Sequence, residues 1–207
     1  MSMRINDFKA VMPGGGARPN LFKVSGGFPS NATTGLSGVL GAIGGVAAGA
    51  ASGDILGAAN SLLGGSGPGR NLEFLCKGAQ IPSASLGTIV VPYRGRQLKV
   101  PGNRAFADWT VTILNDSQYS IRNAFEEWSN KINSHDGNVG PGSIEEIFQT
   151  WTVEQLDQSG NTIKTYEFQG VWPVEVGAID LSADANDTIE EYSVTLAYQY
   201  WTSNTTT

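Results

Sequence analysis

The chain has 207 residues, 40% of them hydrophobic and 15% charged, with a formal net charge of −6. That length suits one ordinary domain with a buried core, and the net negative charge argues against general nucleic-acid binding, which needs clustered cations to meet phosphates. So sparse a charge is expected of a surface that copies or partners cover.

The sign of the charge is unevenly divided. Residues 1–110 hold ten Lys/Arg against four Asp/Glu, a net of +6, and residues 111–207 hold three against fifteen, a net of −12. A basic half and an acidic half can draw copies together head to tail; the competing reading is two solvated faces with no partner.

Taken in chain order, "MSMRINDFKAVMPGGG" lacks the continuous apolar run of a signal peptide, which points to folding in a cytoplasm. "ARPNLFKVSGGFP" predicts a short strand around Leu21, Phe22 and Val24. Residues 30–70 follow as a Gly/Ala/Ser-rich insert with 12 of the chain's 27 glycines. Its apolar part, "GVLGAIGGVAAGAASG" at 38–53, is uncharged. Read as a membrane span over Gly35–Gly53, its large aliphatics Leu36, Val39, Leu40, Ile43 and Val46 contribute only about −2 to −3 kcal/mol towards insertion, and no aromatic belt flanks it. Gly41, Gly45 and Gly49 permit close helix packing in lipid, but glycines this dense equally suit an adaptable loop laid against a neighbouring subunit. The second reading predicts that Gly35–Gly65 is ordered only on assembly.

"LEFLCKG" reads as a strand with Cys76 as a small buried residue. "GTIVVPYRGRQLKVPG" reads as two strands around Arg94-Gly95-Arg96, with Pro92 and Pro101 marking edges or ends. In "DWTVTILND", Trp109, Val111 and Ile113 alternate with Thr110 and Thr112, the pattern of a half-buried strand. "SQYSIRNAFEEWSNKIN" predicts an amphipathic helix with Ile121, Ala124, Phe125, Trp128 and Ile132 on one face and Ser117 as its N-cap. "IFQTWTVEQLDQSGNTIKTYEFQGVW" predicts a hairpin turning at Asp157–Asn161. "IEEYSVTLAYQYW" predicts one strand with Tyr192, Val194, Leu196, Tyr198 and Tyr200 on a common face. The expected fold is mainly β: an antiparallel β-sandwich or barrel with one flanking α-helix, formed as a single domain over residues 1–207.

Reactive chemistry has little to work with. One cysteine excludes an internal disulfide, and one histidine, His135 in the turn-rich "NSHDGNVGPG", falls short of a metal set. Cys76 and His135 could form a nucleophile–base pair, but nothing around either matches a catalytic signature. The adjacent acids Glu126-Glu127, Glu145-Glu146 and Glu190-Glu191 diverge on either a strand or a helix, so they read as solvated faces. No catalytic, cofactor or metal residues are assigned, no cofactor is expected, and the chain does not read as an enzyme.

The sequences "ARPNLFKV", "FLCKGAQIPSASLGTI", "VPYRGRQLKVPGNRAFADWTVTILND", "AFEEW" and "GVWPVEVGAIDLSADANDTIEEYSVTLAYQYW" occur in this order. Together they resemble the tail tube proteins of contractile-tailed (myovirus-type) bacteriophages, over roughly residues 17–29 and 71–201. The insert at 30–70 departs from compact members of that family, which join the flanking strands by a short turn.

The resemblance implies a structural virion protein of the phage tail. Six copies would close a ring, and rings would stack into the inner tube. The tail sheath would lie outside, the tape-measure protein inside, and baseplate and tail terminator proteins at the ends. Genomic DNA would pass through without specific binding, and assembly would occur in the host bacterial cytoplasm, with no membrane span. Two alternatives stay open: the tube of a phage-like contractile injection system of bacteriocin or type VI secretion type, and a membrane-inserting pore using residues 35–63. Arg94, Arg96, Lys99 and Arg104 are the candidate assembly contacts, their cations meeting acids on the next subunit or ring. The plainer reading makes them exposed hairpin charges.

Overall fold

The computed structural model describes residues 4–12, 16–29 and 68–206. Nearly all of the 30–70 insert, including both the assembly-loop and pore segments proposed within it, lies outside the described residues; only 68–70 fall inside, where they open a helix.

The elements in order are α1 (Ile5–Val11), β1 (Phe22–Gly26), α2 (Pro68–Leu75), β2 (Cys76–Ala79), β3 (Ser85–Tyr93), β4 (Arg96–Ala105), β5 (Trp109–Leu114), α3 (Ser120–Ile132), a 3-10 turn (Ile144–Glu146), β6 (Gln149–Leu156), β7 (Thr162–Val176), β8 (Glu191–Ala197) and β9 (Tyr200–Ser203). Among the described residues seven strands form one antiparallel sheet in the order β1-β6-β7-β8-β5-β2, with β9 also on β7, and β3 and β4 pair only with each other.

The large sheet folds over on itself through β7. Its first part pairs with β6 and β9, and its last part, from Trp172, pairs with β8. The change falls at Gly170, whose φ of +65° is costly for residues with a side chain. A Cβ there would stand 2.7 Å from Gln199 Cγ, and the Gln199 amide donates to the Gln169 carbonyl at 2.9 Å. The final strand predicted from "IEEYSVTLAYQYW" therefore breaks opposite this bend into β8 and β9. Tyr192, Val194 and Leu196 are buried as expected, but the inward face changes after the break, and Tyr200 is exposed while Ser203 is buried.

Aromatic side chains fill the space between the two halves of the sheet. The Trp151 ring sits 5.7–6.4 Å from those of Phe28, Trp109, Phe125 and Trp128. Trp109 stacks on Phe168 at 4.4 Å. Buried indole N–H groups need acceptors, and these find backbone carbonyls: Trp109 donates to Gln80 at 2.7 Å, Trp128 to Ile147 at 2.9 Å and Trp151 to Gly27 at 3.0 Å. The alternation in β5 and the 3–4 spacing in α3 place Trp109, Val111, Ile113, Ile121, Ala124, Phe125 and Trp128 in this core, as their periodicities predict.

Three local expectations are corrected. "LEFLCKG" is not one strand: Leu72 is fully buried, Leu75 packs against the core and Phe74 is 75% exposed, a three-residue spacing that suits the helix α2, with the strand starting only at Cys76. Ser117 does not cap α3; the Asp116 carboxylate accepts from the Ser120 amide at 2.9 Å and the Ser120 hydroxyl at 2.8 Å, with Tyr119 left-handed between them. A third helix, α1, sits at the N-terminal end with no buried residue. The 157–161 turn is as predicted, closed by Asp157 Oδ1 accepting from the amides of Ser159 at 2.7 Å and Asn161 at 2.8 Å.

Gly26 lies directly beneath Trp151: a Cβ there would fall 2.3 Å from the indole ring. Gly26→Ala is expected to destabilise the fold by about 1–3 kcal/mol through overpacking. Gly142→Ala, where a Cβ meets nothing within 4 Å, should stay within about 0.5 kcal/mol of the parent. Urea melts of both variants check this; equal midpoints would remove Trp151 from its stated role.

Candidate assembly surface

β3 and β4 form a long hairpin that stands clear of the core. Every residue of both strands is exposed except Gly102, which is half-buried. Tyr93 faces Arg96 across the tip, and Arg94 and Gly95 turn with φ of +44° and +81°. Positive φ at both central residues is the two-residue turn whose twist matches a hairpin. Lower down, Gly87 and Gly102 meet at an irregularity in the register, where a Cβ on Gly102 would come within 3.2 Å of the Gly87 backbone. The base is tied to the core: the Trp201 indole donates to the Ser83 carbonyl at 3.3 Å, and Phe106 lies 5.9 Å from Tyr198, which is 5.0 Å from Phe168.

Residues opposite one another in an antiparallel pair share a face. One face of the hairpin carries Ile89, Val91 and Tyr93 from β3 with Leu98 and Val100 from β4, between 39% and 66% exposed. Fully burying such a side chain is worth roughly 1.5–3 kcal/mol, and a lone two-stranded ribbon is marginal in water. Both outer edges of this ribbon are also unpaired among the described residues, which leaves backbone donors and acceptors open to another strand.

The four predicted contact residues all lie on this hairpin but not on one face. Arg94 is at the tip, its guanidinium 5.5 Å from the centre of the Tyr93 ring. Arg96 pairs with Tyr93 on the apolar face, Lys99 pairs with Val90 on the other, and Arg104 pairs with Leu86 near the base. None of the four joins an ion pair among the described residues, where the pairs are Lys23–Glu73 at 3.3 Å, Arg122–Glu126 at 2.8 Å and Lys77–Glu191. Sequence reasoning found the cations but passed over the apolar ladder between them, whose alternation was visible in "TIVVPY" and "QLKV".

Groups with reactive potential are scattered. The Cys76 thiol is half-buried and donates to the Gly78 carbonyl at 3.6 Å; burial pushes its pKa up to about 11. His135 is exposed, its Nδ1 3.0 Å from Asn130 Oδ1. Glu190 accepts from Asn115 Nδ2 at 2.8 Å and from the Tyr119 hydroxyl at 3.1 Å, which raises the tyrosine's pKa, while its neighbour Glu191 takes Lys77. An open trough of about 510 Å³ between β1, α2 and β6 has Glu73 as the one ionisable wall among the described residues, and that carboxylate is paired with Lys23. Among the described residues no group of three or more His, Cys, Asp or Glu could hold a metal ion, and no helix is long and apolar enough to cross a membrane.

The model of the family described as phage tail tube protein matches residues 17–204. The tail tube protein gp19 of Enterobacteria phage T4 is 34% identical over 134 residues, 64% of this chain and 82% of that protein. The tail tube protein of Serratia phage KSP90 is 32% identical over 129 residues, 62% of this chain and 73% of its own. Among solved structures, a chain of the sheath–tube complex of the extracellular contractile injection system PVC, in its extended state, aligns with a TM-score of 0.51 and 14% identity. That alignment covers 98% of this chain and 99% of the other. A chain of the anti-feeding prophage tube-terminating cap aligns at 0.50 and 18% over 62% and 79%. At these identities the two structures speak for the fold alone.

Because Cys76 is held as the neutral thiol in the folded chain, its alkylation by iodoacetamide at pH 8 should run about a hundredfold slower than that of a free thiol. The folded state binds this proton more tightly than the unfolded state, so the associated stability is complete below pH 9 and is lost as pH rises from 9 towards 11. Alkylation rates with and without urea, and melts of Cys76→Ala against the parent over that range, check both statements.

Proposed function

This chain belongs to the phage tail tube protein family, as a tail tube protein of contractile-tailed phage, and on that premise we propose that it closes six-membered rings that stack into the tail's inner tube. A single tube domain carrying the 30–70 insert would be the repeating unit. The sheath would wrap it, tape-measure protein would fill it during assembly, and terminator and baseplate proteins would close its ends. DNA would pass on ejection without specific binding, the chain's net charge of −6 repelling a polyanion. The tube would be built in the host cytoplasm and would leave as part of the virion.

The observation that carries the reading is the β3–β4 hairpin. It presents five large apolar side chains, two open edges and four cations that find no strand or ion-pair partner among the described residues. Such a surface is a hazard on a monomer and a joint in a polymer. Arg94, Arg96, Lys99 and Arg104 are its proposed charged contacts. The likeness in fold to a sheath–tube complex of an injection system keeps one alternative in play, the tube of a phage-derived device.

Purified protein at high concentration, with sheath protein or a baseplate initiator added, should form hollow tubes of stacked sixfold rings by electron microscopy. A chain that stays monomeric under all these conditions would overturn the proposal, and clear insertion of the monomer into liposomes would favour the pore reading instead.

A further inference from the structure

The basic β3–β4 hairpin and the acidic β7–β8 loop, one from each charged half of the sequence, leave the fold at different places. β5 and β8 run side by side, with Trp109 opposite Leu196 at one end and Leu114 opposite Glu191 at the other. The basic hairpin enters the chain just before Trp109, and the β7–β8 loop enters just before Glu191. The two therefore leave from opposite ends of the same strand pair, about 17 Å apart for five steps of an antiparallel strand.

That loop is the hairpin's complement. Residues 177–190 contain Asp180, Asp184, Asp187 and Glu190 and no Lys or Arg, whereas residues 85–107 contain four cations and no acid. All of residues 180–189 are exposed. None of the three aspartates joins an ion pair among the described residues, and Lys77 and Arg122, which reach Glu191 and the Gly177 carbonyl at that end, are ion-paired with Glu191 and Glu126. The loop also exposes two large apolar side chains, Leu181 at 78% and Ile189 at 70%.

We propose that the β3–β4 hairpin of one copy docks tip-first on the β7–β8 loop of a second copy, head to tail, so that Arg94 at the tip, Arg96 on the apolar face and Lys99 on the opposite face meet Asp180, Asp184 and Asp187. Leu181 and Ile189 supply the apolar counterpart of the hairpin's ladder. The inference rests on the tube reading and names the surface that receives the hairpin. Their roots stand at opposite ends of the β5–β8 pair, and among the described residues no ion pair within one chain joins the two surfaces. A contact between unlike surfaces is heterologous and repeats from copy to copy, and opposed charges of this kind set its register and speed its formation.

The test reverses each side and then both. Arg94→Asp/Arg96→Glu/Lys99→Glu in one chain and Asp180→Lys/Asp184→Lys/Asp187→Lys in another should each raise the protein concentration needed for tube formation by at least about tenfold. All six changes in one chain should bring it back to within about twofold of the parent, with the same loss of tubes at high salt. Thermal melts of the monomers confirm folding, since every altered side chain is exposed. Tubes that form equally well from both triple variants, or a combined variant as defective as either, would overturn the contact and leave the tube reading standing. A parent chain that never polymerises would overturn both.

Discussion

The core of this molecule is arranged around the packing of Trp151. Its ring meets four other aromatic rings drawn from three parts of the chain: Phe28 after β1, Trp109 on β5, and Phe125 and Trp128 on α3. It covers Gly26, and its N–H is bound to the Gly27 carbonyl. Large rings dominate the apolar area a domain can bury and favour the tilted and edge-on contacts seen here. β3 and β4 take no part in that core, and every residue of the two strands but Gly102 stays exposed.

How far the sequence could be read depended on whether local pattern or distant contact decided the outcome. β5 and α3 were legible because one face of each is buried along its whole length, so periods of two and 3.6 survive in Trp109, Val111, Ile113 and in Ile121, Ala124, Phe125, Trp128. The 157–161 turn was legible because its Asp, Gly and Asn bond locally. α2 was not, since seven residues of "LEFLCKG" fit alternation until the fates of Phe74 and Leu72 are known. Nor was the split of the last strand, which answers to Gly170, some thirty residues earlier in the chain. Ser117 is not the cap of α3: the helix starts after a left-handed Tyr119, and the two carboxylate oxygens of Asp116 bond the amide and the hydroxyl of Ser120 instead.

The candidate surface was legible in its charges and not in its geometry. Four cations in a short span were plain, but only the register shows Arg96 sharing a face with Tyr93 and Leu98 while Lys99 turns the other way. A count of +6 and −12 likewise says nothing of direction until β5 and β8 separate the hairpin from the β7–β8 loop. Charge became informative once the strands gave it an axis.

The bend at Gly170 has a mechanical meaning. Because β7 runs unbroken from one half of the sheet into the other, a force parting the two halves loads a continuous covalent backbone as well as side-chain packing. The strand on its flank spans the same bend and is likewise one chain, from β8 through Gln199 into β9. Two adjacent ties cross the hinge line together, joined by the Gln199–Gln169 hydrogen bond. A fold tied in this way resists shear between its layers.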